Sequence, residues 1–332
     1  MTTKPTIYDV AAAAGVAPST VSRALARPGQ VSTATAERVR RAAEELGYRS
    51  FAVGAPGGSA TTGIVLLVTS DITNPFAFEL IHGAEDVAFG AGLAIAVADS
   101  QESGQRERAS VERALSTVDA VVLASSRMPD SAIRVIAKQR PTVVLNRVVR
   151  DVVSVSVDYT DAASRAVTHL RDLGHDAAEY LAGPTASWAD GARWRALLEA
   201  SRAAGVHLRR TGPTVPTVEG GTRAVESRAG RPPTAVVTFN DQVAVGAMRG
   251  FAAGSLSVPG DVSVVGFDDT VLARLVVPGL TTIASPLREM GGRALESVVS
   301  LLAGTLPGPS VPMPAELVVR ESTGPRRARM AR

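Results

Sequence analysis

The sequence predicts a small all-α head followed by a two-lobed α/β body, and three observations carry that expectation. Helix signals punctuated by a Gly turn fill the first fifty residues. A Gly/Pro-rich stretch follows them. From Gly63 onward, strand-length apolar runs alternate with helix-length amphipathic runs in two consecutive sets. Strict strand–helix alternation implies parallel sheets with helices on both faces. At 332 residues, with 45% hydrophobic but only 4% aromatic content, the chain is long enough for several compact units whose cores are built of Ala, Val, Leu and Ile.

The head begins with Thr6 as N-cap and Asp9 at the third helical position, a capping-box arrangement. Ile7, Val10, Ala11 and Ala14 recur at helical spacing, and Gly15 stops the helix. Gly15-Val16-Ala17 has the length of a turn between two crossed helices. Pro18 suits the first turn of the second helix, where its missing N–H is not needed. Val21 and Leu25 are expected to face the core, which leaves Ser19, Thr20, Ser22 and Arg23 pointing away from it. Short polar side chains and an Arg at a helix N-terminus suit base edges and phosphates in a major groove. A third helix runs from the Ser32 cap to about Leu46, with Gly47 as its stop and Val39, Ala42, Ala43 and Leu46 as its apolar stripe. Ordinary solvated helices would also read this way, but charge favours the helix-turn-helix. Residues 1–50 hold seven basic and four acidic side chains, whereas the other 282 hold 28 of each. The whole net charge of +3 therefore sits on the head, where a phosphate backbone would want it.

Residues 51–61 form a Gly/Pro-rich linker. In the body, strands are expected at 64–69, 93–98, 120–124, 142–145, 153–157, 179–182, 235–238 and 262–267. Helices are expected at 76–90, 106–116, 130–138, 162–173, 190–204 and 242–253. Two such sets make two Rossmann-like lobes, with a ligand cleft at the carboxyl ends of the strands.

Several classes are excluded. The absence of Cys removes disulfides, Cys-ligated zinc and thiol nucleophiles. His82, His169, His175 and His207 show no metal spacing, so no metal and no cofactor is expected. No signal peptide is evident at the N-terminus, and runs such as 63–68 are too short to span a bilayer, so a cytoplasmic protein with no membrane partner is expected. An enzyme on a doubly wound sheet is the competing class. However, no Gly-x-Gly-x-x-Gly follows the first strand, and no Walker loop or nucleophile–base pair is visible. A transport-type small-molecule-binding protein would share the body but not the head.

The chain resembles the lactose-repressor/galactose-repressor family along essentially its whole length. In the head the likeness rests on Ile7-Tyr8-Asp9-Val10-Ala11, Ala14-Gly15-Val16, Ser19-Thr20-Val21-Ser22-Arg23, Val31-Ser32 and Ala42-Ala43-Glu44-Glu45-Leu46-Gly47-Tyr48. In the body it rests on Asp71-Ile72-Thr73-Asn74-Pro75-Phe76, Leu173-Gly174-His175, Leu181-Ala182-Gly183-Pro184, Asn240-Asp241, Asp268-Asp269 and Leu280-Thr281-Thr282-Ile283. The resemblance implies a periplasmic-binding-protein-like body whose chain crosses between lobes. Lobe 1 is then about 62–158 plus 286–305, and lobe 2 about 159–285 plus 306–323, with a basic, solvated tail over 324–332. It also implies a repressor that binds a pseudo-palindromic, double-stranded operator as a homodimer and answers to a small sugar or sugar derivative. The C-terminus has no leucine heptads for a higher assembly.

By the resemblance, Pro18, Ser19 and Arg23 read bases, and Thr20 and Ser22 face DNA from the same helix. Thr6, Tyr8 and Arg27 complete the expected DNA-binding set. Ala17 departs from the Ser the family usually places there, a lost cap that costs about 1 kcal/mol. For the effector, strand ends and the resemblance together point to Phe76, Ser125, Ser187, Trp188, Arg193, Asn240 and Asp268. Carboxylate, amide, guanidinium and aromatic faces make a polyol site. The blander alternatives are that Asn74 caps a helix, Asp71 shapes a turn, Asp268 and Asp269 cap a loop and Trp188 sits between lobes.

The linker departs most sharply. Gly57 stands where the family has a Leu wedge, with Pro56 before it and Gly54 and Gly58 around it. Three Gly and a Pro disfavour a hinge helix by about 5 kcal/mol. Limited proteolysis is expected to cut residues 51–61 equally with and without operator DNA; protection by operator would overturn this.

Overall fold

A computed structural model of the chain describes residues 6–26, 31–46, 61–228, 232–308 and 311–327. The expectations for Arg27, Gly47, the linker over 51–60 and the end of the tail lie outside the described residues.

The head holds α1 (Ile7–Ala14), α2 (Pro18–Ala26) and α3 (Thr33–Glu45). The expected caps are in place: Thr6 and Asp9 close a capping box, and Gly15 ends α1 at φ 63°, a left-handed conformation that Gly adopts without penalty. Val10, Ala11, Ala14, Val21, Ala24, Val39, Ala42 and Ala43 form its core. Leu46 was expected on the apolar stripe and is instead 39% exposed, because it follows the last residue of α3.

Lobe 1 begins with β1 (Ile64–Thr69), α4 (Pro75–Gly90), β2 (Ala94–Asp99), α5 (Gly104–Ala114), β3 (Ala120–Ala124), α6 (Asp130–Ala137), β4 (Thr142–Leu145) and β5 (Val153–Val155). Its parallel sheet has the order β2-β1-β3-β4-β5. The chain leaves through β6 (Val157–Asp158) to α7 (Thr160–Asp172), β7 (Ala177–Leu181), α8 (Trp188–Ala204), β8 (His207–Thr211), α9 (Val218–Glu226), β9 (Ala235–Thr238), α10 (Asp241–Ala253), β10 (Ser263–Asp268), α11 (Val271–Leu275) and β11 (Thr281–Ala284). It returns with α12 (Leu287–Leu302), which packs on α4, and crosses again through β12 (Met313–Pro314) to β13 (Glu316–Val318). The second sheet has the order β13-β11-β10-β9-β7-β8, parallel except for β13. Three crossovers therefore join the lobes, and β6 pairs with β12 where two of them meet.

Elements absent from the expectation have physical causes. β8 is an edge strand, largely exposed and rich in Arg, with no apolar alternation to mark it. α9 carries Gly220 and Gly221 in its interior, which normally argue against helix. Both are buried, Gly221 where α9 lies against α10 and Gly220 against the Val215 backbone just before α9. A Cβ on Gly221 would lie 2.2 Å from the Val243 carbonyl oxygen, and one on Gly246 2.0 Å from that of Val218. Backbone contact between the helices thus outweighs local propensity.

The tail corrects another expectation. Residues 324–327 are docked rather than solvated. Gly324 donates its N–H to Ser263 Oγ (3.1 Å), and its carbonyl lies 3.2 Å from His175 Nε2. Arg326 pairs with Asp176 at 2.5 Å and Arg327 with Asp261 at 3.1 Å. His175 is 2% exposed, and burial pushes its imidazole below the usual range.

Gly221→Ala is expected to destabilise by about 1–3 kcal/mol. Gly191→Ala on α8, where a Cβ meets open space, is expected to gain up to about 1 kcal/mol. Urea midpoints moving in the same direction for both would overturn the close-contact account.

Candidate functional site

Two sites follow from the described residues. In the head, Thr6 donates from its backbone N–H and its hydroxyl to Asp9 Oδ2, both at 2.6 Å, which holds the Asp9 carboxyl below its ordinary value. Thr6 is thus committed to the cap. Tyr8 stands 71% exposed on the outer face of α1. On α2, Pro18, Thr20 and Ser22 are half-buried, and Ser19 and Arg23 are exposed. Arg23 lies back one turn, donating from Nε to the Ser19 carbonyl (3.2 Å) and from Nη2 to Ser19 Oγ (3.4 Å). Ala17 offers no side-chain acceptor to the first N–H groups of α2.

The second site lies at the carboxyl ends of the strands. Arg193, on α8, is 2% exposed, and Asp268, the last residue of β10, is 4% exposed. Arg193 Nη2 donates to Asp268 Oδ1 at 2.5 Å, Nη1 reaches Oδ2 at 3.4 Å, and Nη1 also donates to the Phe239 carbonyl. Three rings enclose the guanidinium, with centroids 4.7 Å (Phe267), 5.1 Å (Phe239) and 5.3 Å (Tyr159) from its carbon. Burial is the largest single influence and favours the neutral form, but the Asp268 carboxylate together with Tyr159 and Tyr180 outweighs it and raises the Arg193 pKa. Arg193 Nε has no partner and is a buried free donor. Asp268 sits at φ 101°, an unusual backbone for a side-chain-bearing residue.

The other candidates are distributed around this pair. Ser187 and Trp188 open α8, where Ser187 Oγ caps the helix by accepting from the Asp190 N–H (3.2 Å) and Trp188 is half-buried. Asn240 is 2% exposed. Its Oδ1 accepts from the Val243 N–H at 2.9 Å and caps α10, while Nδ2 reaches the Pro216 carbonyl at 3.4 Å. Phe76 and Ser125 follow β1 and β3 in the other lobe. Phe76 is 8% exposed in the core, and Ser125, at φ 60°, accepts from Asn146 Nδ2 at 3.2 Å. Asn74 caps α4, and Asp71 closes a turn onto Thr73. Among these candidates in the described residues, Arg193 and Asp268 are the two joined by a side-chain ion pair.

Sequence reasoning missed Tyr159, Phe239, Phe267, Ser285 and Asp241. In a chain with thirteen aromatic residues, three around one Arg mark a site, and Phe239 and Phe267 each directly precede a candidate. Asp241 is 1% exposed and accepts from the Thr270 N–H (2.7 Å), Thr270 Oγ1 (3.0 Å) and Thr282 Oγ1 (2.7 Å). Burial first, and the nearby Asp268 charge second, push its carboxyl up to about 7 against those hydrogen bonds. Among the described residues no cluster of acidic or His side chains is arranged for a metal, and no helix is long and apolar enough to cross a membrane.

A carboxyl raised from 3.8 to about 7 keeps its proton in the folded chain and loses it in the unfolded chain between those pH values. Stability from Asp241 is therefore full below pH 4 and falls as pH rises toward 7, by at most about 1.4 kcal/mol per pH unit. Asp241→Asn is expected to flatten the unfolding free energy between pH 4 and 7 relative to the parent chain. Parallel curves for the two would sink this assignment.

Residues 6–50 match the family model described as bacterial regulatory proteins, lacI family, and residues 167–323 match the periplasmic binding protein-like domain. The chain is 32% identical over 330 residues to the HTH-type transcriptional repressor CytR of Escherichia coli (strain K12), covering 97% of each. It is similar to a Lac repressor dimer bound to operator and the anti-inducer ONPF, with TM-score 0.80 and 26% identity over 97% of this chain and 100% of that one. It is also similar to a complex of the transcriptional regulator CelR with cellobiose, with TM-score 0.69 and 28% identity over 96% and 99%. Head, crossed two-lobed body and full-length likeness agree: the chain belongs to the lacI family of bacterial regulatory proteins.

Proposed function

We propose that this chain is a homodimeric transcriptional repressor whose paired heads read a pseudo-palindromic operator and whose cleft takes a neutral sugar or sugar derivative. The observation that carries this reading is the Arg193–Asp268 pair. It keeps one free donor, Arg193 Nε, and one weakly engaged acceptor, Asp268 Oδ2, within one desolvated aromatic cage. A hydroxyl both accepts and donates, so a polyol uses both atoms at once. Because the pair is already neutral, an anionic ligand would bring into the dry site a charge with no counter-ion left for it. Ser125 and Phe76 are the contributions from lobe 1, and Ser187, Trp188 and Asn240 those from lobe 2.

For the heads, the exposed Ser19–Arg23 face of α2 is the base-reading surface. Pro18, Thr20 and Ser22 flank it, and Thr6, Tyr8 and Arg27 serve the backbone. The bare N-terminus of α2 suits a phosphate. The exposed Phe78 and Phe89 on α4, and Leu275 and Val277 at and after α11, supply apolar surface for a second copy. The relatives that are repressors, and those solved with operator or sugar, support the same reading.

Arg23→Ala is expected to weaken binding to the DNA upstream of the protein's own gene by about five- to hundredfold in a gel-shift titration. No shift by the parent protein would remove the repressor reading. In thermal melts over a panel of neutral mono- and disaccharides beginning with cellobiose, at least one sugar is expected to raise the Tm of the parent and leave Asp268→Asn unmoved. A panel that moves neither removes the sugar reading.

A further inference from the structure

The lobes are joined at residues 156–159, 285–286 and 312–315, and two of these crossovers end on one ion pair. Tyr159, 5% exposed, closes the first. Its hydroxyl lies 3.3 Å from Arg193 Nη2, and its ring meets the Phe267 ring edge-on, with centroids 5.6 Å apart and planes at 80°. Ser285 opens the second crossover, and its hydroxyl donates to Asp268 Oδ1 at 3.2 Å. The third crossover is tied to the first by backbone bonds, from Met313 N to the Ser156 carbonyl (2.9 Å) and from Ala315 N to the Asp158 carbonyl (3.0 Å).

We infer that the Arg193–Asp268 pair fastens the crossovers, with Tyr159 and Ser285 as positioning residues through which an occupied cleft acts on the lobes. The atoms are shared. Arg193 Nη2 serves Asp268 and Tyr159, and Asp268 Oδ1 serves Arg193 and Ser285. A ligand hydroxyl on Arg193 Nε or Asp268 Oδ2 adds a partner to the same guanidinium and carboxylate whose other atoms hold Tyr159 and Ser285. Binding at the pair thereby acts on the hinge attachments through the two groups that make them. A ligand held elsewhere in the cleft leaves them intact. This last consequence rests on the effector reading above; the fastening itself does not.

The test is amide hydrogen exchange on the full chain without any sugar, read on peptides covering 156–161 and 284–289. Asp268→Asn is expected to speed exchange in both segments by about tenfold, although residue 268 belongs to neither. Asp190→Asn alters another buried carboxylate on α8, bonded to Tyr180 and Arg210, and is expected to leave both unchanged. Should Asp268→Asn fail to fold, Tyr159→Phe keeps the ring and is expected to loosen 284–289 as well as its own segment. Ser285→Ala is expected to loosen 156–161 in turn. Exchange confined to the mutated segment, or equal loosening by Asp190→Asn, would overturn the fastening. Since no sugar enters the measurement, its failure leaves the effector reading standing, and a silent sugar panel leaves the fastening standing.

Discussion

A guanidinium held at 2% exposure is tolerable only because a carboxylate meets it in the same dry space, and much of the body is arranged around that requirement. Removing one member of such a pair strands the other charge, at about 3–5 kcal/mol. The rings of Tyr159, Phe239 and Phe267 exclude water and offer their faces to the cation. The same dryness sets the state of Asp241. Asp241 is a second buried carboxyl near Asp268, and burial and like charge push it up to about 7.

The pair also lies where two of the crossovers meet lobe 2. Arg193 comes from α8, Asp268 from the end of β10, Tyr159 from the entry to lobe 2 and Ser285 from the exit. Their convergence places the cleft and two crossovers on one ion pair, whose Nη2 and Oδ1 atoms are shared with Tyr159 and Ser285. The outer parts are built differently. Close backbone contact fixes α9 on α10, and the segment from Ser322 to Arg327 straps lobe 2 through His175, Ser263, Asp176 and Asp261.

Much of the candidate site was legible residue by residue but not as an arrangement. Asp268 and Asn240 were found because a polar residue at a strand's carboxyl end has few structural reasons to be there. The structure then separated them, since Asn240 spends its side chain on a helix cap while Asp268 meets Arg193. Tyr159 and Ser285 gave no signal. A Tyr before a helix and a Ser before a Pro are ordinary in sequence, and their partners lie 34 and 17 residues away.

What the sequence determined by itself is local: the Thr6–Asp9 box, the Gly15 stop, the apolar strands of both lobes and the charge excess of the head. Each depends on neighbours within a turn or on the periodicity of one segment, so propensity and pattern suffice. What only the tertiary structure decided depends on contacts between distant segments. Gly221 lies in a helix because α10 passes close by, residues 324–327 are docked because His175 and Asp176 await them, and Arg193 is buried because Asp268 is too. No local signal encodes these, since the free energy that settles them comes from desolvation and close packing that exist only once the chain has folded.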